Sequence, residues 1–343
     1  MKTALKKLAT DTSTDALLEI ASGQSVELSA ALRDFEKKFV YPLGKGNSFS
    51  IEHGASYTDF CQAMGPGRCF VNIKDGQVRA AISAAIRKIS RPDGTACSAV
   101  YICDLKTDPD KNDGRALLTA MQAAIAWSRP QVEVAYGIVM DGTKIEPTRY
   151  TGRLGIPKFE AVAKVAVLQI HLCGADPSAT DISTADTNKR ASCASPTNVF
   201  ETSEVHAREN YKRLAKGYQC DLGSTALRSL QVPLWFSSAQ ASGCLEDTRG
   251  AKRLRQSNGE EIVAAHLSNF AYESAAAATA MLRAAALAAR ARGYQCMFVS
   301  FPWQDHLSII AALADMPFSL ASATVYAHGI STGSPWFIHS SEI

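Results

Sequence analysis

What this chain of 343 residues lacks narrows its function first. It has nine cysteines but no C-x-x-C pair. Cys61, Cys69, Cys97, Cys103, Cys173, Cys193, Cys220, Cys244 and Cys296 show no ligand-type spacing. That argues against a structural zinc site and, the number being odd, against a disulfide framework. Reduced thiols in a cytosolic protein are the plain reading. The seven histidines are scattered without an H-E-x-x-H arrangement, so no metal is expected. No stretch of about 20 uninterrupted apolar residues exists. The nearest follows Ser274 and is broken by Arg283 and Arg290. The opening "MKTALKKLATDTSTD" has no apolar core of signal-peptide length. A soluble, cytoplasmic protein without a membrane partner is expected. No Lys/Arg run is interleaved with aromatics, and a formal net charge of +3 is too small to argue for nucleic acid.

What is present is an ordinary globular composition, with length enough for two domains. One shift stands out. "GADPSATDISTADTNKRASCASPTN" is rich in Ser, Thr, Asp and Ala and nearly free of large apolar residues, which is linker composition. It suggests a first domain over 1–173, a linker over 174–200 and a second domain over 201–343.

In the first half, polar helical segments are expected around 14–22 and 26–38. A short strand is expected at "FSIEHG", and a helix at "ASYTDFCQAM" ended by "GPG". Asp75-Gly76 between apolar stretches signals a hairpin. "VRAAISAAIRKI" then reads as a strand bracketed by that turn and by "RPDG". A third strand covers 96–105. The charged loop "KTDPDKND" leads into a helix over 115–128, with Leu117, Leu118, Met121 and Ile125 on its buried face. "VEVAYGIVM" is a strand, 143–153 a short helix, and "AVAKVAVLQIHL" a strand. The second half repeats the order faintly. It has a hairpin turn at Asn258-Gly259, an Ala-rich helix from about 275 to 292, strand "YQCMFVSF", helix "DHLSIIAALADM" and strand "LASATVYAHG".

Hairpin, long strand, glycine-bearing loop, helix, strand, short helix, strand: this order resembles the GNAT-type N-acetyltransferase superfamily. The family's phosphate loop follows a Gln/Arg-x-x-Gly-x-Gly/Ala pattern. Lys111-Asn112-Asp113-Gly114-Arg115-Ala116 fits it, with Lys in the first position. A second register stays open, with Asn112 and Gly114 as the two glycines and Pro109 in the Gln/Arg position. "TRYTGRLGI" looks like the family's later stretch in which a helix ends in Arg-Leu-Gly-Phe, with Ile156 replacing the Phe. The resemblance covers roughly residues 30–172.

The resemblance implies an α/β (α+β) fold of two tandem GNAT-like domains, the second degenerate. Each would be a mixed, mostly antiparallel sheet flanked by helices. It implies an N-acetyltransferase that moves an acetyl group from acetyl-CoA to a small-molecule or peptide amine. The pyrophosphate would lie on the N–H groups of Lys111, Asn112, Asp113, Gly114, Arg115 and Ala116. Asp108, Asp110 and Asp113 would repel it unless they point outward, and an ordinary loop with Asp113 as helix cap is the plainer reading. N–H groups near Cys103, Asp104 and Leu105 would polarise the thioester carbonyl. Asp104 is a candidate base or a solvated strand-end residue. The family's acid position counts back to Thr151, one residue from the candidate acid Tyr150. Cys103 reads as nucleophile or small buried residue. Glu52 and His53 line a substrate groove or an exposed strand edge; His266, Tyr272 and Glu273 have the same two readings. Trp235 and Trp303 read as core. A non-catalytic acyl-CoA-binding protein on the same fold remains the alternative, and a homodimer is left open.

Overall fold

The computed structural model describes residues 8–9, 15–42, 48–54, 56–111, 113–143, 146–172 and 199–343. The 174–200 linker lies almost wholly outside the described residues, as do Asn112, Cys173 and Cys193.

The first half starts with β1 (Leu8–Ala9), β2 (Ala16–Ile20), α1 (Val26–Glu36), β3 (Tyr41–Pro42), β4 (Ser48–His53) and α2 (Asp59–Met64). It continues with β5 (Gly67–Lys74), β6 (Gln77–Ser90), β7 (Ala96–Thr107), α3 (Gly114–Ser128), β8 (Val134–Met140) and β9 (Glu160–His171). The second half holds β10 (Phe200–Glu201), α4 (Glu204–Leu214), β11 (Tyr218–Cys220), β12 (Leu234–Ser237), β13 (Ala241–Glu246) and β14 (Lys252–Gln256). After it come β15 (Ala264–Tyr272), α5 (Ala275–Ala291), β16 (Cys296–Pro302), α6 (His306–Ala312), β17 (Phe318–His328) and β18 (Trp336–Phe337).

The long strands form one sheet in the order β1-β2-β5-β6-β7-β8-β17-β9-β16-β15-β13-β12-β10. The two halves interlock within it. β17 of the second half lies between β8 and β9 of the first, antiparallel to both. Each half contains a parallel pair of neighbouring long strands, β7 with β8 and β15 with β16. The helix α3 or α5 connects each pair, as a parallel pair requires.

Several expectations meet their elements. Asp75 and Gly76 both have positive φ, 51° and 72°, as a two-residue turn between twisted strands needs. That turn holds the Ala-rich β6 as a strand, buried on both faces between α3 and the pair α1 and α2. Ser25 and Ser274 cap α1 and α5 through Leu28 N–H and Ala277 N–H. α5 stops before Gly293, φ 80°.

Three expectations need correction. The 14–22 segment is no helix; "ALLEI" is β2, paired with β5. Among the described residues of the expected 143–153 helix there is one 3-10 turn, at Pro147–Arg149. Gly152, Leu154 and Gly155 all have positive φ, which ends any helix there. The turn at Asn258-Gly259 does close, with Gln256 N–H donating to Glu260 O at 2.8 Å. Its arms then part: β14 pairs with β4 in a separate three-stranded sheet, while β15 joins the main sheet.

Candidate functional site

β7 and β8 pair in parallel only from Ala99↔Val134 to Ile102↔Gly137. Gly137 permits the last close approach, since a Cβ there would sit 3.1 Å from Ile102 O. Beyond it the strands separate, and β8 continues along β17. At the separation β7 carries a bulge. Its register against β6 moves from Ser83↔Cys103 to Ala81↔Lys106, so β7 has one extra residue. Asp104 absorbs it at φ 55°. A bulge takes one residue out of the ladder and re-aims its neighbours.

The gap opens into a cavity of about 1850 Å³. Leu117, Met121 and Ile125 of α3 line one wall with Ile138 and Ile156. Cys103, Asp104, Leu105 and Tyr150 also line it. The Tyr150 hydroxyl bonds to no described residue, and burial followed by Tyr326 pushes its pKa up to about 12. It stays a neutral phenol. Burial drives the Cys103 thiol well above its ordinary range, which suits a packed side chain and not a thiolate nucleophile.

The loop before α3 borders the cavity through Asp108 and Pro109, and its acidic residues are engaged by the protein itself. Asp108 is buried, 2.9 Å from Lys38 and 3.7 Å from Arg79. Asp110 lies 3.0 Å from Lys38. Asp113 caps α3 through Ala116 N–H at 3.1 Å. Lys111, Gly114 and Arg115 are exposed, Ala116 is buried, and nothing lies within 4 Å of a Cβ built on Gly114. The Gly114 and Arg115 N–H groups bond to no described residue. The helix start is therefore open to an anion on its outer side. Asn112 lies outside the described residues.

Beside the bulge sits a buried polar cluster that only the fold assembles. Glu36 ends α1, His53 ends β4, Tyr57 follows β4, and Asp104 and Lys106 come from β7. His53 Nδ1 lies 2.5 Å from Glu36 Oε1 and 3.9 Å from Asp104 Oδ2. His53 N–H donates to Glu36 Oε2 at 3.2 Å. Lys106 Nζ reaches Glu36 at 3.4 Å and pairs with Asp104, which also accepts from the Tyr57 hydroxyl. Burial alone would raise the Asp104 pKa, but Lys106, His53 and these hydrogen bonds bring it down to about 2. Glu36, His53 and Asp104 have the spacing of metal donors. The Lys106 ammonium already supplies positive charge between the carboxylates.

Lys252 of β14, opposite His53 in the strand pair, lines the same cavity. Its Nζ donates to Ser341 O at 2.8 Å and Ile343 O at 3.2 Å, and lies 4.4 Å from the Phe60 ring. Burial, then Arg228, lowers its pKa to about 8.

Of the residues singled out in the sequence, the cavity wall thus brings together Cys103, Asp104, Leu105, Tyr150 and His53. Glu36, Tyr57, Lys106 and Lys252 were missed. The one sequence signal for them was "CDLK", two charges inside an otherwise apolar strand. Glu52 pairs with Arg255 at the edge of the small sheet. His266 is buried against Ser340, Tyr272 donates to Asp305 at 2.7 Å, and Glu273 pairs with Arg213 at the surface. Trp235 is core and Trp303 packs partly buried against the second-half core.

The second half repeats the device and closes it. The β13–β15 register also shifts by one residue, and Asn269 takes φ 51°. β15 and β16 part after Leu267↔Val299. Here the carboxy-terminal segment fills the gap. Asn269 N–H donates to His339 Nδ1 at 3.0 Å, Ser300 Oγ to Ile338 O at 2.5 Å, and Ser340 Oγ to Phe298 O at 3.0 Å.

No protein-family profile and no curated protein matches the chain. Solved structures do. An N-myristoyltransferase from Saccharomyces cerevisiae, determined with bound myristoyl-CoA, superposes with a TM-score of 0.59 at 10% identity, covering 100% of this chain and 86% of that one. A second structure of that enzyme, with myristoyl-CoA and inhibitors, gives 0.56 at 10% identity, covering 96% and 85%. This chain has the tandem GNAT fold of N-myristoyltransferase. At 10% identity the likeness is one of fold alone. A GCN5-related N-acetyltransferase from Anabaena variabilis matches more loosely, with a TM-score of 0.44 at 12% identity over 78% of this chain and 64% of that one. Among the described residues no helix is long and apolar enough to cross a membrane.

Proposed function

We propose that this protein is an N-acyltransferase that moves an acyl group from a CoA thioester to an amine. The observation that carries this reading is the bulge at Asp104, set where β7 and β8 part over a large, apolar-walled cavity. A thioester carbonyl there meets re-aimed main-chain N–H groups, the donors that acyl transfer needs for its developing oxyanion. The open start of α3, with Lys111 and Arg115 beside it, suits the CoA phosphates. The neutral Tyr150 phenol is a proton source for the departing thiolate.

The cavity supports a fatty acyl group over acetyl. Acetyl leaves the wall formed by Leu117, Met121, Ile138 and Ile156 uncovered. A long chain buries it at about 0.8 kcal/mol per methylene. The N-myristoyltransferase neighbour was determined with myristoyl-CoA, which agrees with this preference.

Calorimetry with acetyl-CoA and myristoyl-CoA, followed by thiol release against a panel of primary amines, tests the reading. Myristoyl-CoA should bind at least about tenfold tighter, since burying even a few methylenes is worth that much. Thiol should appear only when an amine is added. Equal affinities would remove the acyl chain from the cavity. Tight binding without thiol release across the panel would leave an acyl-CoA-binding protein.

A further inference from the structure

Acyl transfer needs a group that takes a proton from the acceptor ammonium. Asp104 is poorly suited, because Lys106 and Tyr57 hold its carboxylate ionised down to about 2. Its neighbour His53 has the required arrangement. Nδ1 is tied to the Glu36 carboxylate at 2.5 Å, and a carboxylate can only accept, so Nδ1 carries the hydrogen. Nε2 then bears the lone pair. It bonds to no described residue, and His53 borders the cavity. The ring is held in place by Tyr57, whose centroid lies 4.6 Å away, and by the Glu36 bond to His53 N–H.

We propose that Glu36 and His53 form the base dyad of this site, with His53 Nε2 accepting the acceptor's proton and Glu36 fixing the tautomer. This rests on the acyltransferase reading. The charged groups that face the ring are Glu36 from α1, Asp104 and Lys106 from β7, and Lys252 from β14. In the reaction the ammonium gives one proton to Nε2 and becomes an amine. The amine lone pair forms the C–N bond at the thioester carbonyl carbon. The C–S bond breaks with its electrons on sulfur, and the second nitrogen proton ends on the thiolate as free CoA thiol. His53 releases the first proton to water.

The experiment compares two acceptors on the full chain with myristoyl-CoA near neutral pH. n-Butylamine is an ammonium there and needs a base; hydroxylamine is already neutral. His53→Gln should lower thiol release with n-butylamine by about 100-fold or more, the usual range for general-base loss, yet change the hydroxylamine rate by only a few-fold. Glu36→Gln should show the same selectivity, and it carries the test if His53→Gln does not fold. Equal losses with both acceptors would reduce the dyad to a structural pair and overturn the proposal. No thiol release by the unaltered protein with either acceptor, despite bound myristoyl-CoA, would overturn the acyltransferase reading and the dyad with it.

Discussion

At the scale of single residues the site is defined by buried charge. Lysine is rarely enclosed without a carboxylate partner. Lys106 has such partners and Lys252 has main-chain oxygens instead. The consequence for Lys252 is measurable. Its folded pKa of about 8 lies below the ordinary 10.5, so between those values the unfolded chain binds the proton and the folded chain does not. Unfolding takes up a proton in that window, and stability therefore rises with pH across it. Wild type should gain about 3 kcal/mol over Lys252→Met between pH 8 and pH 10.5 in urea unfolding. Taking the difference removes the opposite trend from the buried tyrosines and thiols common to both. A pH-independent difference would mean that water reaches Nζ.

At the scale of elements, the carboxy-terminal segment behaves as a wedge. Trp336 packs against Tyr136 and Tyr218, and Tyr101 O–H donates to Glu342 O at 2.5 Å. Glu342 meets Arg87 of β6 through two bonds, 2.7 and 2.9 Å, with both side chains buried. Glu342→Ala leaves the Arg87 guanidinium enclosed without its hydrogen-bonded carboxylate, a change that costs about 3–5 kcal/mol. Denaturant unfolding should show that loss. Arg87→Met with Glu342→Leu should recover much of it, because an apolar pair removes both desolvation penalties. A single-variant loss below about 1 kcal/mol, the level of a surface pair, would mean that the bridge is solvated.

At the scale of the molecule, two similar halves have become one site and one plugged cleft. Both have a bulged strand, a parallel partner and a connecting helix, but Asn269 N–H is already bound to His339. His339 Nε2 in turn lies 3.0 Å from Cys220 O, so both ring nitrogens are engaged. Calorimetry should give close to one CoA per chain. Gly114→Glu should weaken it by like-charge repulsion with little change in melting temperature, since Gly114 is exposed. Ser274→Ala should leave affinity unchanged. Two equivalent sites, or loss with Ser274→Ala alone, would reverse the assignment of the halves.

Local chemistry sufficed for much of this. The Asp75-Gly76 turn, the Asp113 and Ser274 caps and the stop at Gly293 all act within a few residues, and each is readable from the chain; of the four apolar residues expected on the buried face of α3 only Met121 is buried, beside Ala116, Ala120 and Ala124. So was the strand, charged loop and helix order that led to the GNAT resemblance. The 14–22 segment misled because its conformation comes from pairing with β5, distant in the chain. The 143–153 segment misled because three positive-φ residues, including the non-glycine Leu154, end the helix. The dyad was beyond local reading for the same reason as β2. Glu36, His53, Asp104 and Lys106 lie on three separate elements, and only the docking of α1 and β4 against β7 brings them within bonding distance. His53 was visible as a groove residue, but the carboxylate that orients it was not. The interlocking of β17 between β8 and β9, and the filling of the second cleft by 336–342, likewise depend on contacts far apart in the chain. Those contacts are set by which apolar faces remain uncovered once the local elements have formed.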